Sequence, residues 1–304
     1  MKLFLCCRIV STKIPNLKKT IAVLSCWFAF FASFTLHART IKITTWNTEW
    51  LLSKSDFDKY EIPNDIQARH SKNFTRLSLY ARKLNSDIIA LQEVGSVETA
   101  RRILPEDQYD FYITQDNIAQ HPVLAIRKKL SYNIIKNPDL TALSKNDKTH
   151  ILRSGLDLTL YDHRINIRIL VVHLKAHCPE RSLYSQQKAC NILNQQKIII
   201  QKWIADRIKD KQAFIILGDF NRIVSFNDEF FQSLSTESSL SIPTSQLASP
   251  CWGGNYFLDG FILDPILSES TIPNTLKVLV YKEKQYMMHA DLSDHCPVSL
   301  NLSL

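Results

Sequence analysis

Two periodicities share this chain. Apolar runs with a period of two, or with no polar interruption, read as strands: Ile41 to Trp46, Ile88 to Leu91, Tyr109 to Ile113, Val123 to Arg127, Leu156 to Tyr161, Ile165 to Leu174, Ala213 to Leu217 and Pro297 to Leu302. Phe74, Leu77, Tyr80, Ala81 and Leu84 recur instead at helical spacing, as do Leu193, Lys197, Ile200, Ile204 and Ile208 with Trp203 alongside. Val97 to Leu104 reads as a short helix that Pro105 stops. The polar turn Asp162-His163-Arg164 between two strand runs predicts a hairpin, and Gln115 to Gln120, Lys136 to Thr149 and Ser233 to Ser249 read as loops. With no internal repeat and no long linker, the pattern is that of a mixed α/β chain.

Several of these runs end in groups that carry chemistry. Ala213 to Leu217 stops at Gly218 and delivers Asp219 and Asn221, two residues apart, which on an extended chain share one face. Open α/β sheets bind ligands at the carboxyl ends of strands. Asn47 and Glu49 follow Trp46 with the same spacing, Glu93 ends the run from Ile88, and His173 and Lys175 end the run from Ile169. Asp259 follows Phe257-Leu258, and Asp294-His295 precedes the last strand. Each end alone has an ordinary reading: an Asp-rich turn, a helix-capping Glu93, a solvated Glu49, a structural His173. Together they offer oxygen donors suited to Mg²⁺ or Ca²⁺ rather than Zn²⁺, and two histidines for proton transfer.

The ordered series WNTEW, LQE, HLK, GDFN, LD and SDH, from about Ile41 to Leu302, resembles the endonuclease/exonuclease/phosphatase superfamily, with bacterial secreted members nearest in pattern. The resemblance implies a deoxyribonuclease I-like fold, a four-layer sandwich of two mixed β-sheets flanked by helices. It implies water attack on a phosphate ester with Mg²⁺ as cofactor, Mn²⁺ or Ca²⁺ being substitutes. On the matching positions Glu93 is the main metal ligand, with Asn47, Glu49 and Asp294 around the metal. His295 is the general base, oriented by Asp259. Asp219 and Asn221 position the water and a phosphate oxygen, and His173 contacts the phosphate. Arg153, Lys175 and Arg222 lie near these ends as phosphate-binding cations, with plain surface charge the alternative for each. The chain departs from the pattern at Asp259-Gly260, where many relatives read Asp-His. His121, His150, His163, His177 and His289 have no such context and read as surface or core residues.

Residues 1–38 read as a signal peptide: Lys18 and Lys19 precede the apolar stretch Ile21 to Leu36, and Ala38 supplies a small residue at the cleavage position. The stretch is short for a spanning helix, which takes about 20 residues. An uncleaved anchor is the alternative. Cleavage leaves 39–304 as one catalytic domain, exported to the periplasm or secreted, monomeric and without stable membrane association. It also removes five basic residues and no acids, so 32 Lys and Arg face 29 Asp and Glu rather than 37 facing 29. A net charge of +3 permits a nucleic-acid substrate without demanding one.

Four cysteines remain, Cys178, Cys190, Cys251 and Cys296, and an even count in an exported chain favours disulfides. Of the three pairings, Cys178–Cys190 and Cys251–Cys296 are preferred, the first closing a short loop after His173. A zinc site is the alternative, although no Cys-x-x-Cys is present. The functional expectation is a nuclease acting on DNA or RNA, internally or from an end. One rival is a phospholipid or inositol-phosphate phosphodiesterase, against which stands the lack of a long apolar hairpin. The other is a non-catalytic binding protein, against which stands the filling of every expected chemical position.

Overall fold

The computed structural model describes residues 39–144, 151–161, 165–235, 238–283 and 292–304. The expected leader, the turn at 162–164 and His150, His163 and His289 lie outside the described residues. Of the two units into which the chain divides, Met1–His37 and Ala38–Leu304, only the second is described below.

In chain order the elements are β1 (Thr40–Leu51), α1 (Lys54–Lys59), α2 (Ser71–Leu84), β2 (Ile88–Val94), α3 (Val97–Arg101), β3 (Tyr109–Ile113), β4 (His121–Arg127), β5 (Asn133–Lys136), β6 (Leu156–Tyr161), β7 (Asn166–His173), α4 (Lys188–Lys209), β8 (Ala213–Asp219), α5 (Glu229–Leu234), β9 (Asp259–Leu263), α6 (Pro265–Glu269), β10 (Lys277–Val278) and β11 (Val298–Ser303). Every strand run read from the pattern is present. The short elements α1, β5, α5, α6 and β10 have too few residues to show a period. A six-stranded sheet runs β10-β11-β1-β2-β4-β3 and a five-stranded sheet runs β5-β6-β7-β8-β9. Both are mixed, since β1–β2 and β7–β8 are parallel and the other pairs antiparallel.

Alternation sorts the side chains into layers. Ile41, Ile43, Ile88, Ala90, Leu124 and Ile126 of the first sheet share one buried cluster with Leu158, Ile169, Val171, Ile215 and Leu217 of the second, so the sheets pack face to face. On the outer side of the first sheet, Phe74, Leu77 and Ala81 of α2 cover Trp46, Ile89 and Leu91. On the outer side of the second, Trp203 of α4 meets Phe214 edge-on, 5.6 Å between ring centroids, and donates its indole N–H to Asp157. Helix, sheet, sheet, helix is the four-layer sandwich that the motifs implied. The inner faces are apolar until their carboxyl ends, where the polar groups begin.

Candidate active site

In the second sheet, plain register builds the site. His173 of β7 pairs with Asp219 of β8, and Asp219 pairs with Asp259 of β9, so three functional side chains stand side by side on the inner face. Gly218 makes this possible. Its φ is +149°, and a Cβ there would lie 1.9 Å from the Val172 carbonyl oxygen, so any side chain would force β7 and β8 apart beside His173 and Asp219. Gly260 is also confined locally: a Cβ there would meet the Thr244 hydroxyl at 2.3 Å, so a larger residue would have to displace Thr244.

His295 enters from the loop before β11 and is buried. Its Nδ1 donates to Asp259 Oδ2 at 2.7 Å, and its Nε2 lies 3.8 Å from both Asp219 Oδ2 and Asp294 Oδ1. Burial pulls the imidazole towards neutrality, but the Asp259 and Asp219 carboxylates outweigh it and hold its pKa well above the usual 6.5. Burial raises the Asp219 carboxyl to about 6, with Asp259 adding to the rise and the His295 charge and the Asn47 and Asn221 hydrogen bonds opposing it. His173 goes the other way: burial, then the Arg153 and His295 charges, push it well below 6.5, so it is a neutral imidazole.

The first sheet reaches the same place by leaving regular geometry. Glu49, Trp50 and Glu93 have φ of 45°, 49° and 64°, and the β1–β2 and β2–β4 registers shift there. Alternation alone would send Glu93 with Leu91 towards the helix layer. The bulge turns it into the site instead. Glu93 Oε1 then accepts from Asn47 Nδ2 at 3.0 Å and lies 3.6 Å from His173 Nε2, while Oε2 accepts from Trp50 N and Gln120 Nε2. Asn47 bridges the sheets, since its Nδ2 also donates to Asp219 Oδ2 at 2.9 Å. Glu49 Oε2 accepts the Asp294 amide at 2.7 Å. Burial first, then repulsion from Asp294 and Glu93, lifts the Glu49 carboxyl to about 8 against the pull of Arg69.

Three expectations are corrected. Asn221 does not share a face with Asp219 by alternation. Its φ is 50°, its N–H caps Asp219 Oδ1 at 2.7 Å and its side-chain amide bonds Leu174 O and Asp219 Oδ2. Glu49 likewise reaches the site through a left-handed turn, not an i, i+2 relation to Asn47. Arg222 is not a phosphate ligand facing the cleft. It is among the fully buried side chains, paired with Asp228 at 2.6 Å and bonded to the carbonyls of Cys178 and Arg181, so its role is to brace the loop after His173. Arg153 does approach the site: it donates to Leu174 O at 2.9 Å, its charge bears on His173, and its Nε is buried without a hydrogen-bond partner. Lys175 is half-buried just beyond His173.

Other participants carried no signal in the pattern. Gln120 and Arg69 sit in irregular segments, Arg69 donating to the carbonyls of Thr48 and Glu49. Ser293 Oγ donates to Asn47 O and accepts the His295 amide. The Tyr281 hydroxyl accepts from Trp46 Nε1 at 2.8 Å and donates to His295 O at 2.9 Å. Disulfides join Cys178 to Cys190 and Cys251 to Cys296, the second anchoring the residue after His295.

The donor chemistry fits a hard divalent cation. Glu49, Glu93 and Asp294, with the Asn47 amide oxygen, offer only oxygen donors, and the Glu49 carboxyl, raised to about 8 first by burial and then by Asp294, is one whose charged form a cation would favour. Among the described residues, Asp219, Asp259 and His295 are the group of possible ligands whose atoms come within 4.8 Å of one another. There the imidazole Nδ1 is already bonded to Asp259 and the two carboxylates raise its pKa, an arrangement suited to proton transfer.

No protein-family model matches the chain, and no curated protein matches it. Solved structures do. The human Nocturnin catalytic domain with bound sulfate anion aligns over 87% of this chain and 94% of its own at 16% identity, with a TM-score of 0.56. The 3′-5′ exonuclease NExo from Neisseria meningitidis aligns over 87% and 100% at 13% identity, TM-score 0.56. An endonuclease/exonuclease/phosphatase family protein from Bacteroides thetaiotaomicron aligns over 87% and 98% at 13% identity, TM-score 0.55. At such identities the likeness is one of architecture. By architecture the chain has the deoxyribonuclease I-like fold of the endonuclease/exonuclease/phosphatase proteins.

Proposed function

We propose that the protein is an exported, monomeric, metal-dependent phosphoesterase that hydrolyses phosphodiester bonds, acting as a nuclease on DNA or RNA. The observation that carries this reading is the meeting of Asn47, Glu93, His173 and Asp219 between the two sheets, beside the Asp259–His295 pair. Glu93, Glu49, Asn47 and Asp294 would hold Mg²⁺, with Mn²⁺ or Ca²⁺ as substitutes. The cation, when bound, offsets the charge of the phosphoryl and leaving oxygens.

The protein's own groups supply the rest. Asp259 fixes the His295 tautomer, so that Nε2 faces the attacking water and takes its proton. Asp219, held by Asn47 and Asn221, orients that water. Neutral His173 and the Arg153 guanidinium stabilise the phosphate oxygens, with Lys175 at the rim. The two disulfides accord with export after cleavage behind Ala38, and among the described residues no helix is long and apolar enough to cross a membrane. The names of the structural neighbours, an exonuclease among them, favour a nucleic-acid substrate. The test is a substrate panel of plasmid DNA, RNA, sphingomyelin and inositol phosphates with Mg²⁺. Cleavage of either nucleic acid supports the nuclease. Intact DNA and RNA with hydrolysed lipid or inositol phosphate would replace it.

A further inference from the structure

A second cavity, of about 410 Å³, opens at the opposite end of the first sheet. Arg82 from the last turn of α2, Arg101 and Arg102 at the end of α3, and Arg127 at the end of β4 line it, and no Asp or Glu does. It sits beside the start of β2, whereas Glu93 stands near the end of that seven-residue strand. The strand's length sets them about 20 Å apart at roughly 3.3 Å per residue. The pocket is therefore distinct from the catalytic cleft.

Two of the guanidinium groups are held in place by aromatic faces. Arg102 lies over Phe74, 3.4 Å from the ring centroid, and Arg127 over Tyr109 at 4.9 Å. Arg127 is further fixed by donating from Nη2 to Asn85 Oδ1 at 3.0 Å, the Tyr109 hydroxyl at 2.7 Å and Ser86 O at 3.2 Å, and from Nε to Ser86 O at 3.3 Å, so that its Nη1 is the edge offered to a ligand. Stacking orients a guanidinium plane without neutralising it and leaves N–H edges for a ligand. Acids stand behind two of the four, Asp87 3.8 Å from Arg127, and Glu106 at 3.2 Å and Glu98 at 4.0 Å from Arg101. Among the described residues none pairs with Arg82 or Arg102. Leu104 and Ile103 give the pocket an apolar wall.

We infer that this pocket binds a phosphate group carried on an apolar or planar body, a nucleoside monophosphate being the fitting class. Preoriented guanidiniums recognise phosphate through paired N–H donors, and the volume falls in the range of small-ligand sites. The inference stands apart from the catalytic reading. Calorimetric titration of the mature protein in excess chelator, with inorganic phosphate, adenosine monophosphate and a short oligonucleotide, tests it. Phosphate and the monophosphate should bind, and Arg82→Gln/Arg102→Gln should weaken binding at least tenfold while leaving the metal-supported hydrolysis rate unchanged. Arg82→Gln alone, an exposed side chain away from Phe74, should give a smaller loss in the same direction. If only the oligonucleotide responds to these variants, the pocket is a polymer-backbone contact and the monophosphate assignment is overturned. Absence of binding by all three ligands, or equal binding by wild type and both variants, overturns it.

Discussion

The two sheets bring their polar ends to the site by different means. The five-stranded sheet, the rigid half, relies on register: His173, Asp219 and Asp259 are buried lateral neighbours on paired strands. The six-stranded sheet departs from regularity, with left-handed Glu49, Trp50 and Glu93 breaking the ladder to turn carboxylates inward. Residues held in that backbone region cost on the order of 1–3 kcal/mol each, so the surroundings must impose them. Here Asn47, Gln120, Arg69 and the Asp294 amide do so. Under the proposed function, cation binding falls to the re-aimed carboxylates and proton transfer to the Asp259–His295 pair, which joins the two halves, Asp259 standing on β9 and His295 on the loop before β11.

The largest expected effect falls on the Asp259–His295 pair that joins the halves. His295→Ala should slow hydrolysis by roughly 10²–10⁴-fold, the usual worth of a positioned proton-transfer group. Asp259→Asn should also slow it, and the double variant should lose little more than His295→Ala alone, because both act through one imidazole. A loss equal to the product of the single losses would break the pairing. The pH profile sharpens the same point. A base works when neutral, and Asp259 and Asp219 raise His295, so kcat/KM should climb with pH through an inflection above 6.5. Asp259→Asn removes one of those charges and should move the inflection down.

Glu93→Gln probes the re-aimed half. A direct ligand should cost at least the roughly 10–100-fold that outer-shell partners cost. The Mg²⁺ concentration for half-maximal rate should rise with it, whereas His295→Ala should leave that concentration unchanged. Equal shifts in both variants would erase the division between the halves.

How much of this was legible follows the same line. An alternating run located β1 and uninterrupted apolar runs located β2, β7 and β8, with His173 and Asp219 placed at strand ends; that the two stand side by side came from the β7–β8 register. Glu49, Glu93 and Asn221 were found as residues, but their aim depends on positive φ at non-glycine positions, which nothing in an alternating pattern announces. Arg222 shows the converse: adjacency to Asn221 suggested the cleft, while the Asp228 carboxylate and two carbonyls drew it into the interior. Tyr281 and Gln120 were hidden because each reaches the site from an irregular segment distant in sequence.

Gly218→Ala tests whether register is what the rigid half depends on. The clash with the Val172 carbonyl should destabilise the fold by at least about 2 kcal/mol and lower Tm by several degrees. An unchanged Tm would mean the strands separate at little cost. The smallest effect should come from Tyr281→Phe, which keeps the ring but loses the hydroxyl between Trp46 and His295. One hydrogen bond is worth about 1 kcal/mol, so kcat should fall roughly two- to tenfold with KM unchanged.

The proposed function requires that a divalent cation held by the re-aimed carboxylates support hydrolysis by the Asp259–His295 pair. The most direct test follows cleavage of plasmid DNA and RNA by the mature protein in Mg²⁺, in excess chelator, and after Mg²⁺ is restored. The account predicts cleavage, then none, then recovery. Undiminished cleavage in excess chelator would contradict it.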